Sequence, residues 1–159
     1  MTNIDFRTAN EGDADQLEKL EAEAWTRHTS PNPVHERPVF GARLPFADVI
    51  VACRDGVLLG YIAIGRRTPF ATNAHVGSIR SIVVASEHKR AGVGRQLLSA
   101  AEREAKRRGF LALRLNVMAS NTAARALYAS AGFAELGRYP AEFCVEGEWV
   151  DDVFMGKSL

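Results

Sequence analysis

VVASEHKRAGVGRQLL, residues 83–98, reads as the end of a strand, a charged turn with two glycines and the start of a helix. A helix start leaves backbone N–H groups without intrahelical partners, and the helix dipole adds partial positive charge there. The two glycines let an anion approach that backbone closely, and Lys89, Arg90 and Arg95 supply positive charge around it. The stretch therefore predicts a pyrophosphate site, although a glycine turn can also serve chain geometry alone.

Two common nucleotide-binding patterns are absent from this turn. The chain has no GxxxxGK[ST] sequence of a P-loop, and AGVGRQ lacks the third glycine of the GxGxxG dinucleotide fingerprint. The ligand of the turn has to be inferred from the rest of the chain.

Strand and helix patterns on both sides of the turn predict one α/β domain. Asp55-Gly56 is a hairpin signal between two strand-like runs, because both positions tolerate positive φ. The predicted strands are IDFRT (4–8), DVIVACRD (48–55), VLLGYIAIGRR (57–67), VGSIRSIVVA (76–85), FLALRLNV (110–117) and a closing hairpin of FAELGRY and EWVDDVFMGK. The predicted helices run from a cap at Asn10 or Asp13 to near His28, from Gly92 to Arg108, and over SNTAARALYASAG (120–132).

The second of these helices has an amphipathic pattern. Its apolar positions Val93, Leu97, Leu98, Ala101 and Ala105 form one stripe. On the face predicted to be exposed to solvent, Glu102 with Lys106 and Glu104 with Arg108 are spaced as i,i+4 ion pairs.

Length and composition limit the class of protein. With 159 residues and 47% hydrophobic content, the chain fits a single domain over residues 1–159. A formal charge of +1 gives no sign of a nucleic-acid or anionic membrane partner. Cys53 and Cys144 lack metal-site spacing, and no stretch reaches the ~18 apolar residues of a membrane span, so we expect a cytoplasmic protein without a metal.

A second motif identifies the family that the chain resembles. In SNTAARALYASAGF, Asn121, Ala124 and Tyr128 fall at i, i+3 and i+7, on one face of a helix. Here the chain resembles the GNAT superfamily of acyl-CoA-dependent N-acetyltransferases, over roughly residues 3–158. IVVASEHKRAGVGRQLL is similar to the family's strand, [R/Q]xxGx[G/A] pyrophosphate loop and helix. NVMASNTAARALYASAGF resembles its NxxAxxLYxxxGF motif, with most likeness to the ribosomal-protein N-terminal acetyltransferase branch.

The resemblance implies a fold, a donor substrate and a set of site residues. The implied fold is a mixed, largely antiparallel sheet splayed between its fourth and fifth strands and flanked by helices, with acetyl-CoA in the gap. Tyr128 would be the catalytic general acid, which suits a phenol of pKa about 10 that is protonated at neutral pH. The residues implied to bind acetyl-CoA are Ile82, Val83, Val84, Lys89, Arg90, Ala91, Gly92, Val93, Gly94, Arg95, Asn121, Ala124 and Tyr128. Without a ligand, Asn121 would be an ordinary helix cap and Tyr128 a partly buried helix residue.

Two positions depart from the family pattern. Lys89 stands where the loop usually has Arg or Gln, and lysine keeps the charge but not arginine's bidentate geometry. Asn116 stands where the ribosomal-protein branch usually has a glutamate base, and an amide cannot accept the proton. Glu142, Glu146 and His75 are candidates to relay it through water, although a surface residue without a role is the favoured interpretation of each.

The predicted activity is acetyl transfer from acetyl-CoA to a primary amine, on a small molecule or a peptide N-terminus. We expect acceptor specificity in the segment around SPNPVHERPVFGARLP (with Trp25, His28, His35 and Arg37), in PFATNAH and in RYPAEFCVEGEW. The alternative is a non-catalytic CoA-binding sensor or interaction module with the same fold. A homodimer is a further possibility, whereas nucleic-acid binding by KRAGVGR and AKRRG is disfavoured, because those charges suit CoA phosphates and solvent.

Overall fold

The computed structural model describes residues 3–31 and 38–159, which form a seven-stranded sheet flanked by helices. The strands are β1 (Asp5–Thr8), β2 (Val49–Arg54), β3 (Val57–Arg66), β4 (Val76–Val84), β5 (Ala112–Met118), β6 (Ala134–Val145) and β7 (Glu148–Ser158). The α-helices in these ranges are α1 (Ala14–Ala24), α2 (Val93–Arg107) and α3 (Thr122–Ser130). The strand order is β1-β2-β3-β4-β5-β7-β6, and this mixed α/β architecture confirms the predicted fold class.

The sheet opens between β4 and β5, its only parallel pair of strands within the described residues. These strands pair over Val76–Ser78 and Ala112–Arg114, and then continue to Val84 and Met118 without further pairing. Helix α2 makes the crossover that a parallel connection requires. The predicted gap between the fourth and fifth strands is therefore confirmed.

The two faces of the sheet carry two separate cores. The stripe predicted on α2 is buried on one face together with α3, and this core includes Val117 of β5 and Val153 of β7. Leu17 and Leu20 of α1 pack on the other face, against Tyr61 of β3. The hairpin predicted at Asp55-Gly56 is present, with φ of 51° and 80° at its two positions.

Helix α1 ends at Ala24, so its predicted end near His28 is wrong. Trp25 adopts extended dihedrals (φ −65°, ψ 130°), and Thr26 and Thr29 form a turn of their own. The Thr29 hydroxyl accepts the Thr26 N–H at 2.9 Å. A threonine hydroxyl thus accepts the hydrogen bond of a backbone N–H group that would otherwise bond within a continued helix. Asn10 and Asp13, the two predicted caps, form a capping box on the short 3₁₀ turn that precedes α1.

One of the two ion pairs predicted on α2 is wrong. Glu104 does pair with Arg108, at 2.7 Å. Glu102 instead receives the Lys157 ammonium of β7 at 2.7 Å, because this flank of α2 faces the sheet rather than open solvent. Helical spacing rules compare residues of one helix only, so they cannot predict this contact between α2 and β7.

No helix of residues 3–31 and 38–159 has the length and apolar character needed to cross a membrane. Within the same ranges, no group of three or more His, Cys, Asp and Glu side chains is placed to hold a metal ion.

Gly60 of β3 is required by close backbone approach. A Cβ built there would lie 2.4 Å from Val83 O and 3.1 Å from Val84 Cα, beside the gap. We expect Gly60→Ala to lower the free energy of unfolding by about 1–3 kcal/mol, since the strand must shift to relieve the overlap. Urea unfolding measures the loss. Gly137→Ala on β6 is the matched control, because a Cβ there meets no atom within 4 Å, and an equal loss in both variants would contradict this explanation.

Candidate functional site

A cavity of about 1080 Å³ opens where β4 and β5 diverge. It reaches both faces of the sheet, because α3 and the start of α2 line one side and α1 lines the other. The sequence-predicted residues that line it are Ile82, Val83, Val84, Lys89, Arg90, Gly92, Gly94, Arg95, Asn121, Ala124 and Tyr128. Ala91 is not among the lining residues, and the Val93 side chain is buried in the core with 2% exposure, so only its backbone remains available to a ligand.

Peptide groups of β4 face the gap. Ala85 N–H donates to Leu59 O of β3 at 2.9 Å, and Val83 pairs with Tyr61 on the same side. Successive residues of a strand direct their hydrogen-bonding groups to opposite neighbours. The N–H and C=O groups of Ile82 and Val84 therefore point toward β5, from which β4 has already separated at this level.

The turn before α2 exposes a set of backbone donors. Gly92 has φ of +81° and Arg90 has φ of +65°, and Gln96 N–H makes the first intrahelical bond, to Gly92 O at 3.1 Å. The preceding N–H groups of α2 consequently have no intrahelical partner. A Cβ at Gly94 would approach Leu127 of α3 at 3.1 Å, so this glycine also lets α2 and α3 pack closely at the cavity. The turn has the backbone geometry and charge of an anion site.

Tyr128 combines a buried ring with a hydroxyl that has no protein partner. The residue is 6% exposed, and its ring packs 5.8 Å from that of Phe133, centroid to centroid. Within the described ranges no side chain or backbone group hydrogen-bonds to its hydroxyl, and the residue lines the cavity. Burial raises the pKa of this phenol, so it stays neutral and can donate a hydrogen bond.

Asn121 serves as the cap of α3. Its Oδ1 accepts the Ala124 N–H at 3.2 Å, which is the ordinary structural use of an asparagine at this position. The same side chain lines the cavity, where its Nδ2 remains a potential donor.

The opposite wall is built by α1, which sequence analysis did not single out, and by the segment after it, where acceptor specificity was expected. Glu18 Oε1 accepts the N–H groups of Val39 and Phe40 at 2.6 and 2.9 Å and so fixes this segment against α1. Glu21 lines the cavity and accepts a hydrogen bond from the hydroxyl of Tyr61, which also contacts Ser81 Oγ at 3.0 Å. Glu21 follows Leu17 and Leu20 at helical spacing. That spacing alone does not distinguish a solvent-exposed position from one that lines a cavity.

A carboxylate lies beside Asn116, the position where a base was expected. Asn116 Nδ2 donates to Asp152 Oδ2 of β7 at 2.7 Å, and both residues line the cavity. The sequence contains Asp151 and Asp152 side by side, and only the pairing of β7 decides which of them faces the cavity. None of the relay candidates Glu142, Glu146 and His75 lines it.

The predicted specificity regions contribute unequally. Trp25 and Phe143 line the cavity, whereas His28 and the PFATNAH turn do not, because the turn precedes β4 at the end where β4 and β5 still pair. His35 and Arg37 lie outside the described residues. Arg27 pairs with Glu146 of the β6–β7 hairpin and Ser120 Oγ donates to His28 O at 3.1 Å, so this stretch connects α1 with the far side of the cavity.

Comparisons with known proteins assign these features to a family. The model described as the acetyltransferase (GNAT) family matches residues 14–133. YsnE, an uncharacterised N-acetyltransferase of Bacillus subtilis, is 40% identical over 85 residues, which are 52% of this chain and 54% of that protein. The L-amino acid N-acyltransferase MnaT of Escherichia coli is 31% identical over 111 residues, which are 70% of this chain and 64% of that protein. Each match thus spans less than two thirds of the relative's own length.

Solved structures share the fold over nearly the whole chain. The structure of yncA from Salmonella typhimurium with its cofactor acetyl-CoA has a TM-score of 0.83 at 24% identity and covers 99% of this chain and 95% of that chain. A ribosomal-protein-alanine N-acetyltransferase from Brucella melitensis has a TM-score of 0.77 at 28% identity and covers 97% and 99%. These likenesses show that the open sheet is the shared architecture.

The protonation state of Tyr128 is open to direct measurement. Because burial raises its pKa, Tyr128 should remain a phenol at about pH 10.5, where an exposed tyrosine is mostly ionised. We expect the folded wild type and Tyr128→Phe to show equal phenolate absorbance near 295 nm at that pH, and to differ after unfolding by one tyrosine. A deficit of one phenolate in the folded variant would show that Tyr128 titrates normally.

Proposed function

The chain belongs to the acetyltransferase (GNAT) family, and from this premise we propose that it transfers an acetyl group from acetyl-CoA to a primary amine. The amine attacks the thioester directly while both substrates are bound. One observation carries the proposal: a single cavity through the sheet joins free β4 peptide groups, the start of α2 and the Tyr128 hydroxyl. The amine would enter from the α1 side.

The cavity fits acetyl-CoA as donor substrate in three respects. The free donors at the start of α2, with Lys89, Arg90 and Arg95, match a pyrophosphate. The peptide groups of Ile82 and Val84 match the pantetheine amides and the acetyl oxygen, which gains negative charge as the amine attacks. The volume, about 1080 Å³, lies near the upper end of the usual 300–1000 Å³ range for ligand sites, which suits two substrates.

Tyr128 is proposed as the general acid. Its hydroxyl has no other partner in the described part of the chain, and its raised pKa keeps it protonated until sulfur acquires negative charge. It then delivers its proton to the CoA thiolate as the C–S bond breaks. Asn121 would donate its amide hydrogen to the pantetheine arm while capping α3.

We propose an α-amino group as the acceptor, on a free amino acid or at a peptide N-terminus. The α-amine of a peptide N-terminus, with a pKa of about 7.7–8.0, is about a fifth to a third neutral near pH 7.4, whereas a lysine amine of pKa about 10.4 is about 0.1% neutral. This difference of a few hundredfold corresponds to roughly 3 kcal/mol of barrier. MnaT, named for L-amino acids, and the Brucella enzyme, named for ribosomal-protein alanine, support this class.

Thiol release from acetyl-CoA, measured over a panel of amines, tests the function. The panel contains free amino acids, short peptides with free and blocked N-termini, polyamines and aminoglycosides. Turnover with α-amines and none with N-blocked peptides is the expected result. Tight acetyl-CoA binding with no turnover for any amine would instead favour the sensor alternative.

The variant Tyr128→Phe tests the proposed role of Tyr128 as the general acid. Removal of the proton donor should lower kcat by about 10²-fold or more while the Kd of acetyl-CoA, measured by calorimetry, changes little. Tyr139→Phe is the matched control, because Tyr139 is 55% exposed on β6 and does not line the cavity. An undiminished kcat in Tyr128→Phe would remove Tyr128 from this role.

Reversal of one charge tests the proposed pyrophosphate site at the start of α2. Arg95→Glu, at the start of α2, should weaken acetyl-CoA binding by about tenfold or more, equivalent to ~1.4 kcal/mol. Arg103→Glu makes the same change farther along α2, outside the cavity, and should leave Kd unaltered. Equal effects in the two variants would point to net charge rather than a contact at the turn.

A further inference from the structure

The proposed reaction requires a group that takes a proton from the attacking amine, and the amide of Asn116 cannot do so. A carboxylate on the acceptor side of the cavity can. Two line the described part of the cavity, Glu21 on α1 and Asp152 on β7. They differ in the groups that already contact them.

Glu21 already accepts a hydrogen bond from a buried side chain of the core. Burial, together with the nearby Glu21 carboxylate, raises the pKa of Tyr61 well above its ordinary value. Tyr61 therefore keeps its proton and donates it in a hydrogen bond to Glu21. The pair ties α1 to β3 and forms a fixed wall of the cavity.

Asp152 is held in a different way. The Asn116 amide occupies only Oδ2, at 2.7 Å, and no Lys, Arg or His of the described ranges lies within 4 Å of the carboxylate. A neutral donor orients a carboxylate without neutralising it. Oδ1 is left to accept a further hydrogen bond.

The position of Asp152 on the sheet places it on the side from which the amine would arrive. Val117 and Val153 are buried on the α2 and α3 face, and side chains alternate along a strand. Asn116 and Asp152, diagonal neighbours on β5 and β7, therefore face the α1 side. Tyr128 packs on the opposite face, so the acid and the carboxylate flank the gap from two sides.

We infer that Asp152 is the general base of the reaction and that Asn116 is its positioning residue. This inference rests on the proposed function. It accounts for an asparagine at position 116, because the amide fixes a carboxylate supplied by the neighbouring strand.

The proton and electron changes balance without another reactant. The amine lone pair forms the C–N bond while the C=O π pair moves to oxygen beside the β4 amides, and nitrogen releases one proton to Asp152 Oδ1. When the C=O bond re-forms, the C–S bond breaks, its pair moves to sulfur and Tyr128 gives up one proton. Solvent carries one proton from Asp152 to Tyr128, so the products are the amide and CoA thiol.

The pH profile of kcat is compared between the wild type and Asp152→Asn, since only a carboxylate can accept the proton. The amine's own ionisation adds an acid limb in every variant, so the difference between profiles isolates Asp152. Other charged or titratable residues also line the cavity and belong in the interpretation. They are Glu21 of α1, Arg43, Arg80 of β4, His88, Lys89, Arg90, Arg95 of α2 and Tyr128 of α3.

The decisive experiment moves the carboxylate. Asp152→Asn should lower kcat by about 10²-fold or more, and the swap Asn116→Asp with Asp152→Asn should recover at least about a tenth of the activity. In the swap an amide on β7 orients a carboxylate on β5 within the same pair. Asn116→Ala keeps the base and removes only the donor that orients it, so kcat should fall by less than in Asp152→Asn.

Asp151→Asn is the matched control. Asp151 accepts Ala141 N–H at 2.9 Å and pairs with Arg138 at 3.3 Å outside the cavity, so kcat and the pH profile should not change. Acetyl-CoA binding and thermal unfolding establish that each variant is folded.

The outcomes separate this inference from the proposed function. Loss in Asp152→Asn with recovery in the swap supports the assignment. Wild-type kcat in Asp152→Asn, or no recovery in a swap variant that binds acetyl-CoA normally, overturns it and leaves the acetyltransferase proposal intact. Absence of wild-type turnover across the amine panel would overturn both.

Discussion

The short parallel pairing between β4 and β5 is the constraint on which the rest of this structure depends. The strands pair over Val76–Ser78 and Ala112–Arg114 only. Further pairing would satisfy the peptide groups of Ile82 and Val84 and close the cavity. The sheet lacks these hydrogen bonds, so unpaired peptide groups line a cavity at its centre, where the proposed reaction would use them.

The same divergence separates the chemistry of the site by face. The turn before α2 and the buried Tyr128 lie on the α2 and α3 face, whereas Glu21 and Asp152 lie on the α1 side. In the proposed reaction the two substrates would approach one another through the sheet from these two faces. Burial raises the pKa of Tyr128 and so keeps this phenol protonated, whereas Asp152 is only partly buried beside the cavity.

Several residues serve the fold and the candidate site together. Gly94 permits α2 and α3 to approach and leaves the backbone accessible, and Asn121 caps α3 at the cavity. Glu18 fixes the segment at Val39 and Phe40, which completes the cavity wall on the α1 side. Because these residues have both roles, the sequence patterns around them fit a structural interpretation as well as a functional one.

The sequence by itself determined the succession of strands along the chain, the hairpin at Asp55-Gly56, the buried stripe of α2 and membership of the family, because these depend on periodicity, turn chemistry and local motifs. Spacing also brought most of the proposed acetyl-CoA contacts to one cavity, although Val93 proved to be a core residue. Local rules did not anticipate the early end of α1 or the partner of Glu102. Only the tertiary structure decided that Asp152, and not Asp151, meets Asn116, because the register of β7 on β5 sets which side chain faces the cavity and sequence spacing carries no record of that register.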